Sequence, residues 1–104
     1  MTEQGDEILL CCLLWAHPHE AEGLRAYEDE VLALISRHGG KIVQRAQSFE
    51  VNDQPDEVQF FRFKSKAALD SYLSDPARTE RADERDRVIA RTELFPVHLV
   101  SERY

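Results

Sequence analysis

Four stretches of this chain are apolar enough to form β-strands, and they differ sharply in how apolar they are. That contrast constrains the fold more than any other feature of the sequence. Ile8–Ala16 (ILLCCLLWA) is an unbroken apolar run, and Val58–Phe63 (VQFFRF) is nearly one. Ile42–Val51 (IVQRAQSFEV) is half polar, and Leu94–Val100 (LFPVHLV) contains a proline. Strands buried on both faces read as continuous apolar runs, so the first two belong in the middle of a sheet. Pro96 has no N–H to give to a ladder, which sends its strand to an edge.

The segments between the strands read as helices. Leu24, Tyr27, Val31, Leu34, Ile35 and His38 recur at three- and four-residue spacing and predict a helix from about Glu20 to His38, stopped by Gly39-Gly40. The turn-forming run Asn52-Asp53-Gln54-Pro55-Asp56 joins strands two and three as a hairpin. Ser65 is placed to cap a second helix with Ala68, Leu69, Tyr72 and Leu73 on its apolar side. Asp75-Pro76 opens another helical stretch, and the charged segment Ala77–Arg91 reads as a mostly solvated helix, with Asp83 and Arg87 spaced for an ion pair. The order is βαββαβ. A right-handed crossover with strand three filling the gap gives the spatial order 4-1-3-2. The expected architecture is therefore α+β and ferredoxin-like: a four-stranded antiparallel sheet with two helices on one face.

Such a sheet normally keeps its uncovered face polar. Here strand three offers Val58 and Phe60 to one side and Phe61 and Phe63 to the other, and strand four shows Phe95, Val97 and Leu99 opposite Leu94 and Val100. An apolar surface of that extent predicts a homodimer in which two sheets pack face to face. The 104 residues suit a single domain with short tails at 1–6 and 101–104, and at 42% hydrophobic the chain is globular. The net charge of −7 argues against a nucleic-acid partner. Cys11 and Cys12 are adjacent on a strand, so they point to opposite faces and do not pair with each other. Two buried free thiols fit a reducing cytoplasm, and the apolar run at Ile8–Ala16 is too short to span a membrane.

Three segments carry a resemblance: Tyr27…Val31…His38-Gly39-Gly40-Lys41, the junction between strand three and Ser65, and Tyr72-Leu73-Ser74-Asp75-Pro76-Ala77-Arg78. Together, over about Ile8 to Val100, they resemble the dimeric α+β barrel superfamily, and within it a small bacterial branch of unknown function. The resemblance implies a dimer. Its members include cofactor-independent antibiotic-type monooxygenases, muconolactone isomerases, haem-dependent enzymes, polyketide cyclases and stress proteins. The cyclases carry a catalytic histidine where this chain has Arg78, which stays protonated and cannot serve as a general base. No histidine matches the axial-ligand segment of the haem branch, so no cofactor is expected.

Several residues are candidates for chemistry. His98 lies among apolar neighbours on the expected fourth strand. It acts as an acid or base if that side faces a cavity, and is structural if it lies at a seam. His17, in His17-Pro18-His19, is a second acid–base candidate; two histidines are too few for a zinc site, and no metal is expected. Tyr27 and Tyr72 fall on the sheet-facing stripes of the two helices and, with Trp15, would either line a pocket for an aromatic ligand or simply fill the core. Arg78, Arg81 and Arg85 form a basic stripe that either steers an anion or is a solvated face. Arg62, on a central strand, requires a partner carboxylate, an anionic ligand or water.

Three functions follow from these residues. The first is a dimeric protein binding a small hydrophobic or aromatic molecule. The second is a cofactor-independent enzyme, monooxygenase or isomerase/cyclase, with His98 or His17 as acid or base. The third is a structural or stress-associated oligomer with a filled interior. A cavity between helices and sheet separates the first two from the third.

Overall fold

The computed structural model of the protein describes residues 7–49 and 53–100. The strands are β1 (Ile8–Ala16), β2 (Lys41–Gln47), β3 (Glu57–Phe63) and β4 (Ile89–Val97). They form one antiparallel sheet ordered β2-β3-β1-β4, with the two most apolar strands at the centre as their composition requires. The helices α1 (Ala21–Leu32), α2 (Lys66–Leu73), α3 (Pro76–Thr79) and α4 (Ala82–Val88) lie on one face, so the helical layer has more pieces than the two expected.

Helix α1 is shorter than its apolar spacing predicts. After Leu32 the chain tightens into a 3-10 turn, Ile35–His38, with Leu34 N–H donating to Val31 O (3.1 Å) and Arg37 N–H to Leu34 O (3.0 Å). Gly39, at φ 73°, ends it in the left-handed conformation that glycine adopts without cost. The caps of the second helical stretch are as expected: Ser65 Oγ accepts from Ala68 N–H (3.1 Å), and an Asp75 carboxylate oxygen from Ala77 N–H (2.8 Å). His38 ties the two stretches together, with Nδ1 2.8 Å from Ser71 Oγ and Nε2 2.8 Å from Asp75 Oδ2.

Two strand boundaries differ from the sequence reading. The second strand ends at Gln47; Glu50, Val51 and Asn52 lie outside the described residues. The fourth begins at Ile89, five residues before Leu94, and ends at Val97. The free edge of β1 runs to Ala16 and takes Thr92, Arg91 and Ile89 as partners, and this ladder overrides the helical character of a charge-rich segment. The expected Asp83–Arg87 pair is replaced by one between Arg87 and Glu20, at 3.4 Å.

Alternation divides the sheet cleanly. Leu10, Cys12, Leu14, Phe61 and Phe63 face the helices and pack with Leu24, Tyr27, Val31, Tyr72 and Val88. Leu9, Cys11, Leu13, Val58, Phe60, Phe95 and Val97 share the opposite face, which no helix among the described residues covers. The two cysteines therefore do point apart, and both are buried and free.

Candidate functional site

The helix-facing side of the sheet is not uniformly apolar. Strand β3 buries Glu57, Gln59, Phe61 and Phe63 in register, so two polar side chains enter the interior beside two phenylalanines. Helix α1 adds Glu28, one residue after Tyr27 and only 5% exposed. The Gln59 amide donates to both carboxylates, at 2.8 Å to Glu28 Oε1 and 2.9 Å to Glu57 Oε2.

The two carboxylates sit in different environments. Glu57 is gripped by the Arg45 guanidinium, whose Nε and Nη2 donate to its two oxygens; Arg45 also reaches Asp29 at 2.6 Å. Glu28 has only the neutral amide of Gln59 against it. Burial pushes its carboxyl above the ordinary value, Glu57 adds to the rise, and the Gln59 hydrogen bond and the more distant Arg78 oppose it. A buried carboxyl with a raised pKa can exchange a proton nearer neutrality than a surface one.

Glu28 and Gln59 line a small cleft between helices and sheet, together with Cys12, Leu14, Leu32, Phe61, Tyr72, Leu73, Arg78, Arg85, Ile89, Thr92 and Leu94. Its volume is about 40 Å³. One water needs roughly 10–15 Å³ of such space, so the cleft takes a few waters or one small polar group. Among the described residues two buried side-chain atoms lack any hydrogen-bond partner, Arg78 Nε and Thr92 Oγ1, and both residues line this cleft. Arg78 is otherwise held by stacking 5.0 Å from the Tyr72 ring centroid and by Nη1 donating to Leu73 O (3.4 Å). Burial pushes the Tyr72 phenol up to about 12, and its hydroxyl donates to Val31 O (3.2 Å). Burial, aided by Glu28, likewise pushes the Cys12 thiol up to about 12, so it is a wall and not a nucleophile.

The residues singled out in the sequence fall in different places. Tyr27, Tyr72 and Arg78 are on the helix side, with Tyr27 packed in the core and Tyr72 and Arg78 at the cleft. Trp15 is not with them. It alternates with Leu14 onto the other face, where its Nε1 donates to Asp53 O (2.8 Å) and the Arg91 guanidinium stacks 4.3 Å from its ring. Arg62 is also on that face, paired with Glu7 of its own chain at 3.2 Å. His98 lies beyond the end of β4, exposed, above a shallow depression of about 190 Å³ shared with Arg62 and Glu7. His17 is exposed in the turn after β1, where Pro18 and His19 (φ 67°) bring Glu20 N–H to His17 O at 2.9 Å. Of the basic stripe, Arg78 and Arg85 reach the cleft, while Arg81 turns to Glu84 (2.5 Å) and Glu30.

His17, His19 and Trp15 do border an open groove of about 640 Å³. Two of its polar groups are already used: Asp56 Oδ2 accepts from Ala16 N–H (2.8 Å) and the Trp15 indole is engaged with Asp53. The cleft, by contrast, gathers unspent donors beside a protonatable acid.

A four-stranded antiparallel sheet carrying helices on one face defines the fold class: the chain is ferredoxin-like. A protein of unknown function from Rhodopseudomonas palustris superposes with a TM-score of 0.72 at 21% identity, over 92% of this chain and 84% of that one. A dimeric protein of unknown function from Bacteroides fragilis gives 0.70 at 8% identity, over 89% and 96%. SnoaB, a cofactor-independent oxygenase from Streptomyces nogalater, gives 0.68 at 15% identity, over 94% and 99%. No protein-family profile matches the chain, and neither does any curated protein sequence.

Proposed function

We propose that the protein is a cytoplasmic homodimer that binds a small, partly aromatic or apolar molecule whose polar end enters the cleft between its helices and its sheet. The observation that carries this reading is the pair of buried, unpartnered atoms, Arg78 Nε and Thr92 Oγ1, whose residues both line one cleft. A buried donor left unmade costs about 1–3 kcal/mol, and a ligand that engages both recovers it. The apolar outer face supports the dimer, as does the neighbour from Bacteroides fragilis described as dimeric. The two free cysteines support a reducing compartment.

Native mass spectrometry of the protein as purified, followed by thermal-shift screening of small aromatic compounds, tests the binding. Saturable stabilisation that Arg78→Met abolishes is the expected result. A screen in which nothing binds, with the chain mass alone in the spectrum, refutes it. A second reading, a cofactor-independent enzyme such as a monooxygenase or isomerase/cyclase, is favoured by one observation. Glu28 offers the cleft a carboxyl without a cationic clamp, a better-placed acid–base group than His98 or His17.

A further inference from the structure

The chemistry of the cleft narrows the class of molecule it takes. Its two idle atoms belong to a guanidinium, which can only donate, and to a hydroxyl free to donate. Arg85, loosely paired with Asp86 at 3.9 Å, adds a second guanidinium to the lining. Two residues with unspent donors, lining one small space together with a second cation, suit an oxyanion rather than a neutral carbonyl. About 40 Å³ admits a carboxylate head but not a whole aromatic acid. The body of such a ligand has somewhere to lie: of the apolar lining residues Leu94 is 36% exposed and Leu73 half-buried, so part of the lining opens to water.

Glu28 stands in the way of a second negative charge. The titratable and charged groups grouped around it are Cys12 from β1, Arg45 from β2, Glu57 from β3, Tyr72 from α2 and Arg78 from α3. Arg45 is committed to Glu57 and Asp29. The charge left to serve both Glu28 and an incoming anion is that of Arg78, with Arg85 at the margin. Two like charges sharing one cation in a desolvated space do not both stay ionised; one takes a proton.

We propose that the cleft is a subsite for the carboxylate of a small aromatic or apolar acid, held by Arg78 Nε and Thr92 Oγ1, and that the acid binds together with one proton, which Glu28 takes up. No covalent bond forms or breaks: the proton comes from solvent and rests on the Glu28 carboxyl while the ligand is bound. This rests on the cleft being the binding site.

Benzoate and its neutral isostere benzamide are the probes, titrated calorimetrically into the full chain in buffers of different ionisation enthalpy. Benzoate is expected to bind with uptake of about one proton per chain near about pH 8, shrinking as pH falls toward the range where Glu28 is already protonated. Glu28→Gln is expected to keep benzoate binding and lose the uptake. Arg78→Met is expected to weaken benzoate by roughly 10- to 100-fold and leave benzamide unchanged, the span appropriate to one charged hydrogen bond. Thr92→Val, a near-isosteric change, provides a milder loss in a variant that keeps the core. Benzamide binding as well as benzoate, or an uptake that survives Glu28→Gln, overturns this proposal while leaving the cleft as the site. Failure of both compounds to bind overturns the two readings together.

Discussion

At the scale of single residues, the interior holds two carboxylates whose different company gives them different roles. Glu57 is clamped by a guanidinium, whereas Glu28 faces only an amide. Burial lifts the folded-state pKa of Glu28 above its ordinary 4.5. As pH rises past that value the unfolded chain gives up its proton first, so this group's contribution to stability falls with rising pH. Glu28→Gln should therefore be more stable than the parent near neutrality, by about 1 kcal/mol or some 4–8 °C, with the advantage vanishing in acid; denaturation curves across the pH range measure it. Asp75 has the opposite sign. The His38 hydrogen bond, then the Ala77 N–H, hold its carboxyl below the ordinary 3.8. Its contribution is present above that value and lost as pH falls through the lower, folded one. Carbon-detected titration should show the Asp75 carboxyl moving up in His38→Ala.

Glu28 and Gln59 were within reach of the sequence. Position 28 lies four residues after Leu24 and three before Val31, on the apolar stripe, and positions 57 and 59 share the alternation of Phe61 and Phe63. A polar residue on a core-facing register is the signal for a buried polar site. Thr92 gave no such signal, because its strand begins earlier than apolarity indicates.

At the scale of elements, the joints carry more information than the helix and strand interiors. A Cβ added at Gly40 would stand 2.7 Å from both Ile35 Cγ1 and Phe63 Cε1, two core side chains with little room to retreat. Gly40→Ala should cost about 1–3 kcal/mol as an overpacked junction between the 3-10 turn and β2, read from a denaturant midpoint. Ser65→Ala removes the single side-chain cap of α2 and should cost about 1 kcal/mol in the same assay. The start of β4 shows how tertiary pairing decides a boundary. Ile89 follows Val88 of α4 directly, and its N–H still donates to Arg85 O as the chain turns into the sheet. The charges of Ala77–Arg91 suggested one helix. The unpaired edge of β1 took the last of those residues for a ladder, leaving only α3 and α4 helical.

At the scale of the molecule, the sheet is a two-sided apolar object with helices on one side. Phe95 keeps 38% of its surface exposed and Phe60 is half-buried, next to Leu9 and Leu13 on the same face. If a second copy covers this face, the melting temperature rises with protein concentration, because association stabilises the folded state by mass action. Phe60→Glu should abolish that dependence and yield a monomer by light scattering. A concentration-independent melt and a monomeric parent refute the dimer.

The sequence by itself determined the strand order, because burial on both faces demands a continuous apolar run and only two strands supply one. It also determined the caps at Ser65 and Asp75 and the glycine stop after His38, which rest on interactions between near neighbours in the chain. Which side chains meet was decided only by the tertiary structure. Glu28, Gln59, Arg78 and Thr92 come from four different elements, and their meeting depends on crossing position and strand register, which no local pattern encodes. The same packing sent Trp15 to the face opposite Tyr72, since a single step along a strand reverses the direction of a side chain.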